Sequence, residues 1–100
     1  MPDVATVDET TDETHVELFD AGPRTVQLRL AADQRVPAHT HSGTDCVLYL
    51  VSGRLDLTLD GESYELTPGE LVRFSGEREI SPHAIEPSTA LVVFAPAVDE

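Results

Sequence analysis

The sequence lacks lysine and tryptophan, and its 100 residues include only one cysteine and five aromatic residues. With a single cysteine, Cys46, the chain cannot form an internal disulfide, and such sparse cysteine usage is typical of a reducing compartment. No apolar run approaches the roughly 20 residues that cross a bilayer. The N-terminus is acidic and has no apolar segment, so no signal peptide or anchor is indicated. We therefore expect a soluble, cytoplasmic protein.

Basic residues are also scarce. Six arginines stand against 19 acidic residues, and the net charge is −13 at pH 7. A surface of this charge repels nucleic acid and anionic membranes, because phosphate binding needs clustered lysine and arginine. The acidic residues are spread along the whole chain, which favours adaptation to high salt over a local acidic interaction surface. We expect a halophilic protein with no nucleic-acid partner and no membrane partner.

The distribution of apolar residues predicts a single all-β domain. Residues 1–14 are polar and acidic, and we interpret them as a flexible N-terminal segment. No helical period longer than about two turns is present after them. Short strand-like runs, interrupted by Gly or Pro, predict an antiparallel sandwich or barrel over residues 15–97, with a tail at 98–100. The predicted strands cover 15–19, 25–31, 46–51, 54–60, 62–66, 70–75, 80–86 and 90–95, and Asp60-Gly61 predicts a hairpin turn.

Two histidines separated by one residue, His39 and His41, lie in the stretch RVPAHTHSGTDC at 35–46. In a strand, residues i and i+2 point to the same face about 7 Å apart, so the two imidazoles would project together. Neutral imidazole is a common ligand of zinc, iron, copper and nickel. The spacing is compatible with a metal chelate and equally with two solvated polar residues on an ordinary strand.

The order of features after this pair resembles the conserved barrel of the cupin family. HTH at 39–41, four residues, Cys46, six residues and Gly53 are similar to the family's first motif, which has a glutamate where this chain has Cys46. LYLVSGRLDLTLDGE at 48–62 is similar to the strand–Gly–strand–turn that follows, and LTPGELVRF at 66–74 to the strand opening the second motif. The resemblance extends over about residues 24–97. It implies an antiparallel jelly-roll barrel and an assembly of two or more copies.

Many members of this family hold one divalent metal ion on three histidines and a glutamate. In the family pattern the third histidine lies 11 positions after the glycine matched by Gly69, whereas the nearest histidine here, His83, lies 14 positions after it (83 − 69 = 14). A loop longer by three residues would bring His83 into place, and Glu79 or Asp45 could supply an oxygen ligand instead. Cys46 is either a thiolate ligand or a small buried core residue. The resemblance thus implies a site for iron, zinc, manganese, nickel or copper, with the metal ligands His39, His41, His83 and Cys46.

Three functions remain open at this point. The first is a metal-binding cupin acting on a small molecule, as an oxygenase or an isomerase. The second is a non-catalytic module that binds or senses a small molecule, and the third is a structural dimer with a degenerate metal site. We expect a homodimer, with the strand at 15–20 pairing with a neighbour's sheet edge. His15 is interpreted as a surface or dimer-edge residue, and Arg73 as a solvent-facing position rather than an anion anchor.

Overall fold

Six antiparallel strands form the framework of the protein in the computed structural model, which describes residues 2–97. This part of the chain has no helix, and so no helix that could cross a membrane. Met1 and the predicted tail at 98–100 lie outside the described residues. The strands are β1 (His15–Phe19), β2 (Arg24–Leu30), β3 (Thr44–Leu59), β4 (Glu62–Leu66), β5 (Leu71–Ser75) and β6 (Ile80–Pro96).

Alternation of side chains explains which strand faces build the core. In β2 the side chains of Val26, Leu28 and Leu30 are all buried, as expected for one face of a strand with period two. The second half of β3 alternates in the same way. The predicted turn joins β3 to β4, with φ angles of 50° at Asp60 and 85° at Gly61, a geometry that two-residue hairpins require.

The two long strands, β3 and β6, give the sheet its shape. The strand order is β1-β2-β6-β3-β4, and β5 pairs with the first half of β3. The pairing of β3 with β6 shifts register three times between Leu50 and Leu55. The paired residues before and after this irregular region form two halves of the fold, and each long strand contributes to both. Leucines from both halves of β3 share one core cluster with residues of β2 and β6. The predicted all-β, antiparallel jelly-roll barrel is confirmed.

Two features of the strands differ from the prediction. The runs 46–51 and 54–60 are one continuous strand, because Gly53 adopts a φ of 90° inside the irregular region without reversing the chain. Similarly, 80–86 and 90–95 are both part of β6. Within β3 the run at 46–51 has one buried face, since Cys46, Leu48 and Leu50 are buried while Tyr49 is exposed.

The segment before β1 contacts the outer face of the sheet. It has no strand within residues 2–14, yet the backbone N–H of Asp8 donates to Gln27 Oε1 and Gln27 Nε2 donates back to the Asp8 carbonyl, both at 2.7 Å. Gln27 is fully buried and lies between Val26 and Leu28, whose side chains point the other way. This reciprocal pair satisfies a buried amide that would otherwise destabilise the sheet.

Candidate functional site

A cavity of about 230 Å³ lies inside the barrel. Its apolar lining residues are buried or half-buried, whereas its polar lining residues are half-buried or exposed, so the polar side chains form the mouth and the apolar ones the floor. The strand register explains one wall of the cavity. Residues directly opposite each other on antiparallel strands share a face, and His15 and Glu17 of β1 lie opposite Leu28 and Val26 of β2. The mouth residues are His15, Glu17, Arg24, His39 and His41.

His39 and His41 are brought together at this mouth. They lie in the loop between β2 and β3 rather than in a strand, but backbone hydrogen bonds join His39 to Ile80 in both directions, at 2.9 and 3.1 Å. The His41 N–H donates to the Gly76 carbonyl at 2.7 Å. The two rings pack edge to face with their centroids 4.6 Å apart. The loop therefore holds both imidazoles on one side of the barrel.

The tautomer of His39 follows from one contact. Its Nδ1 lies 2.8 Å from the carbonyl oxygen of Pro37. A carbonyl oxygen only accepts, so Nδ1 carries the hydrogen and Nε2 of the neutral ring is left as an acceptor.

His15 is a third imidazole at the mouth. Burial lowers the pKa of His15, and the electrostatic influence of the neighbouring His39 and Arg24 lowers it further. The pKa of His41 is lowered by burial first, and then by His39, Arg24 and His15. Both rings thus favour the neutral form at neutral pH. His15 is exposed, as predicted for a surface residue, and it also lines the mouth of the cavity. The only sequence signal for this second role is the alternation of His15 and Glu17 on one strand face.

Arg24 completes the mouth. Its Nε donates to Glu17 Oε1 at 2.7 Å, and its guanidinium carbon lies 4.9 Å from the centre of the Phe94 ring. The His41 ring centre lies 4.7 Å from the same ring. Phe94 is therefore in contact with two of the polar groups at the mouth, which orients them over the apolar floor.

The structure does not bring His83 to the histidine pair. His83 lies on β6 opposite Asp56, with its Nε2 3.9 Å from Asp33 Oδ1, and it does not line the cavity. The residue 11 positions after Gly69 is Ile80 (80 − 69 = 11), which is buried, lines the cavity and bridges His39. Residues 80 and 83 are three apart in one strand, so their side chains point to opposite faces.

Cys46 and the two alternative carboxylates do not line the cavity either. Cys46 is fully buried in the apolar core cluster, and burial raises the pKa of its thiol, which keeps it protonated at neutral pH. Asp45 Oδ2 lies 3.7 Å from Arg73, whose side chain is 74% exposed. Glu79 is exposed, and neither carboxylate lines the cavity. Arg73 is solvent-facing, as its position in β5 predicted.

The residues present do not fit the four-ligand metal site that the resemblance implies. Of the four corresponding positions, 39 and 41 carry histidine, whereas 80 carries isoleucine and 46 a buried thiol. Within residues 2–97, no three His, Cys, Asp or Glu side chains are arranged to hold a metal ion together. His39 and His41 alone fall short of the three or four protein ligands that zinc sites use, and His15, the third imidazole of the mouth, does not form a ligand group with them within residues 2–97.

A jelly-roll barrel with a histidine pair at its mouth defines a cupin-type protein, and comparison with known families agrees. The family model described as "Cupin domain" matches residues 26–94, and the chain belongs to the cupin family. Three of the five mouth residues, His15, Glu17 and Arg24, lie outside the matched range. A search among curated proteins found no match to this chain.

Solved structures share the fold at low sequence identity. KdgF from Halomonas sp. has a TM-score of 0.76 at 22% identity, over 93% of this chain and 89% of its own. The cupin domain of an XRE family transcriptional regulator from Enterobacter cloacae has a TM-score of 0.73 at 21% identity, over 86% of this chain and 100% of its own. A predicted oxalate decarboxylase from Thermotoga maritima has a TM-score of 0.74 at 14% identity, over 83% and 79%. These likenesses concern the fold.

Proposed function

We propose that this cupin is a small-molecule binding module that takes the apolar part of a ligand into the barrel cavity and holds its polar end at the mouth, without a metal ion. The observation that carries this function is the cavity of about 230 Å³, with its apolar floor and five polar side chains at one end. An apolar protein cavity of about 150 Å³ is sufficient for benzene. A ligand of one ring with a short polar substituent therefore matches this cavity.

Positions 80 and 46, where the family pattern has metal ligands, carry isoleucine and cysteine in this chain, and these replacements support the same function. Ile80 adds apolar surface to the cavity where the family pattern has a histidine, and Cys46 belongs to the same buried core cluster as Ile80. Burying about 150 Å² of apolar ligand surface contributes about 4 kcal/mol at 25 cal/mol per Å². Loss of ligand freedom offsets part of this gain. We expect dissociation constants in the millimolar range or weaker for ring-sized molecules without a matched polar group.

Metal-dependent chemistry, as an oxygenase or an isomerase, is the second candidate. One observation favours it: the Pro37 carbonyl fixes the tautomer of His39 and leaves Nε2 free, as carbonyl oxygens do for histidines that bind metals. His39 and His41 would hold the ion. Metal analysis separates the two candidates.

Ligand binding is tested by NMR, with a library of single-ring compounds added to ¹⁵N-labelled protein. We expect shifts confined to residues around the cavity. Val26→Phe, which fills the cavity, should abolish them, whereas Val47→Phe, the same change on a residue that does not line the cavity, should preserve them. Unchanged binding in Val26→Phe would place the ligand elsewhere and contradict the proposal.

Metal content is measured on protein purified without chelator or affinity-tag metal, before and after incubation with each of the five candidate ions. We expect far less than one ion per chain. A stoichiometric ion that is lost in His39→Ala and retained in His83→Ala would overturn the metal-free proposal in favour of the second candidate.

We also propose a homodimer. Among the described residues β1 pairs only with β2, so the other edge of β1 has backbone groups open to a strand of a second copy. Light scattering during size-exclusion chromatography should give twice the chain mass of 10.8 kDa. A constant monomer mass across a hundredfold concentration range would contradict this.

A further inference from the structure

Arg24 retains unused hydrogen-bond donors at the mouth of the cavity. Its Nε donates to Glu17, and no acceptor within residues 2–97 receives a bond from its two terminal nitrogens. An arginine has five N–H groups, so four remain. The Glu17 contact and the Phe94 ring together fix the plane of the guanidinium, which makes these four donors a preorganised fork.

The charge at the mouth differs from the charge of the molecule as a whole. The chain has a net charge of −13, yet the mouth contains one arginine, three histidines and a single acid, Glu17. The remaining lining residues are apolar, so no other charged group faces the cavity from β3, β5 or β6. The acidic surface of the protein repels an anion, whereas the mouth of the cavity offers it hydrogen-bond donors.

We propose that the ligand of this cavity is a small apolar acid whose carboxylate binds the terminal nitrogens of Arg24 beside His41, while its apolar body lies on the floor. This inference rests on the proposed binding function and names its ligand class. A planar guanidinium fork matches a carboxylate in two parallel hydrogen bonds. Arg24 and His41 both contact Phe94, so a carboxylate at this point lies directly above the apolar floor.

The experiment compares benzoate with its uncharged isostere benzamide by calorimetry or NMR titration. We expect benzoate to bind about tenfold or more tightly than benzamide, because charge-assisted hydrogen bonds are roughly twice as strong as neutral ones. Arg24→Gln should remove this preference, because it lowers the affinity for benzoate much more than the affinity for benzamide. Arg24→Lys keeps the charge without the fork and should retain part of the preference.

Arg73→Gln is the matched control. It removes the same charge from an exposed side chain that does not line the cavity, and it should leave both affinities unchanged. Equal binding of benzoate and benzamide, or a preference that survives Arg24→Gln, overturns the carboxylate assignment but not the binding function. Binding of neither compound, with no other ring-sized molecule bound, overturns both.

Discussion

Gly76 provides the sharpest test of how the fold positions the site. It is buried, and a Cβ atom built on it would lie 2.1 Å from the His41 carbonyl oxygen and 2.5 Å from Thr44 Oγ1. The carbonyl of Gly76 accepts the N–H of His41, and its own N–H donates to the Thr44 carbonyl at 2.8 Å. Gly76→Ala should therefore push the His41 loop away from β5 and open the mouth of the cavity.

The size of the effect follows from these contacts. Overpacking by a methyl group costs about 1–3 kcal/mol, and each weakened backbone hydrogen bond adds about 0.5–1.5 kcal/mol. Alanine lowers the entropy of the unfolded chain relative to glycine, and this offsets about 0.4–1 kcal/mol of the loss in stability. We expect Gly76→Ala to reduce the free energy of unfolding by about 2–4 kcal/mol. For a domain of this size that corresponds to a melting temperature lower by about 10–20 °C.

Urea denaturation measures the free energy of unfolding, and the imidazole resonances of His41 report its displacement. Gly69→Ala is the matched control, because its φ of 93° strains an alanine but nothing lies within 4 Å of the added Cβ. It should cost about 1 kcal/mol and leave the His41 resonances in place. A Gly76→Ala protein as stable as the wild type, with unshifted His41 signals, would refute the proposed coupling between this glycine and the site.

Three further predictions concern the cysteine, the histidines and the charge. Cys46, fully buried and with a raised thiol pKa, should react with a thiol reagent only after unfolding; rapid reaction of native protein would contradict its place in the core. Because the pKa of His15 is lowered by burial, the unfolded state binds more protons near pH 6, so His15→Gln should gain stability relative to wild type as the pH falls from about 7 to 5; an unchanged difference in urea midpoints would exclude this. The melting temperature should rise between about 0.1 M and 2 M KCl as salt screens the net charge of −13, and a flat response would argue against adaptation to salt.

The strands were largely predictable because their signal is local. Alternation in β2 and in the second half of β3 identified the core leucines, and Asp60-Gly61 identified the hairpin. The continuity of β3 was not predictable, because a glycine at position 53 has the same local pattern whether the chain turns or bulges. Only contact with β6 decides this, and a Cβ on Gly53 would lie 2.3 Å from the Pro87 carbonyl oxygen.

The site was predictable in part. The spacing of His39 and His41 predicted two imidazoles on one side, and the structure places them 4.6 Å apart between ring centroids. The place of His15 at the mouth was not predictable, because it depends on the register between β1 and β2, which is not a local property of the sequence. The resemblance predicts His83 as the third histidine through a loop longer by three residues, whereas Ile80 lines the cavity and His83, three positions further along β6, does not.

The long strands β3 and β6 also have a consequence for how the protein folds. Their pairing joins Leu59 to Ile80 at one end and Thr44 to Pro96 at the other, contacts that are far apart in the sequence. The chain loses the entropy of closing these large loops before the strand contacts stabilise it, so folding should be slow for a domain of 100 residues. Both strands run through both halves of the barrel, so neither half has strands that belong to it alone and could fold before the other half. Amide hydrogens in the two halves should therefore exchange through one common global opening.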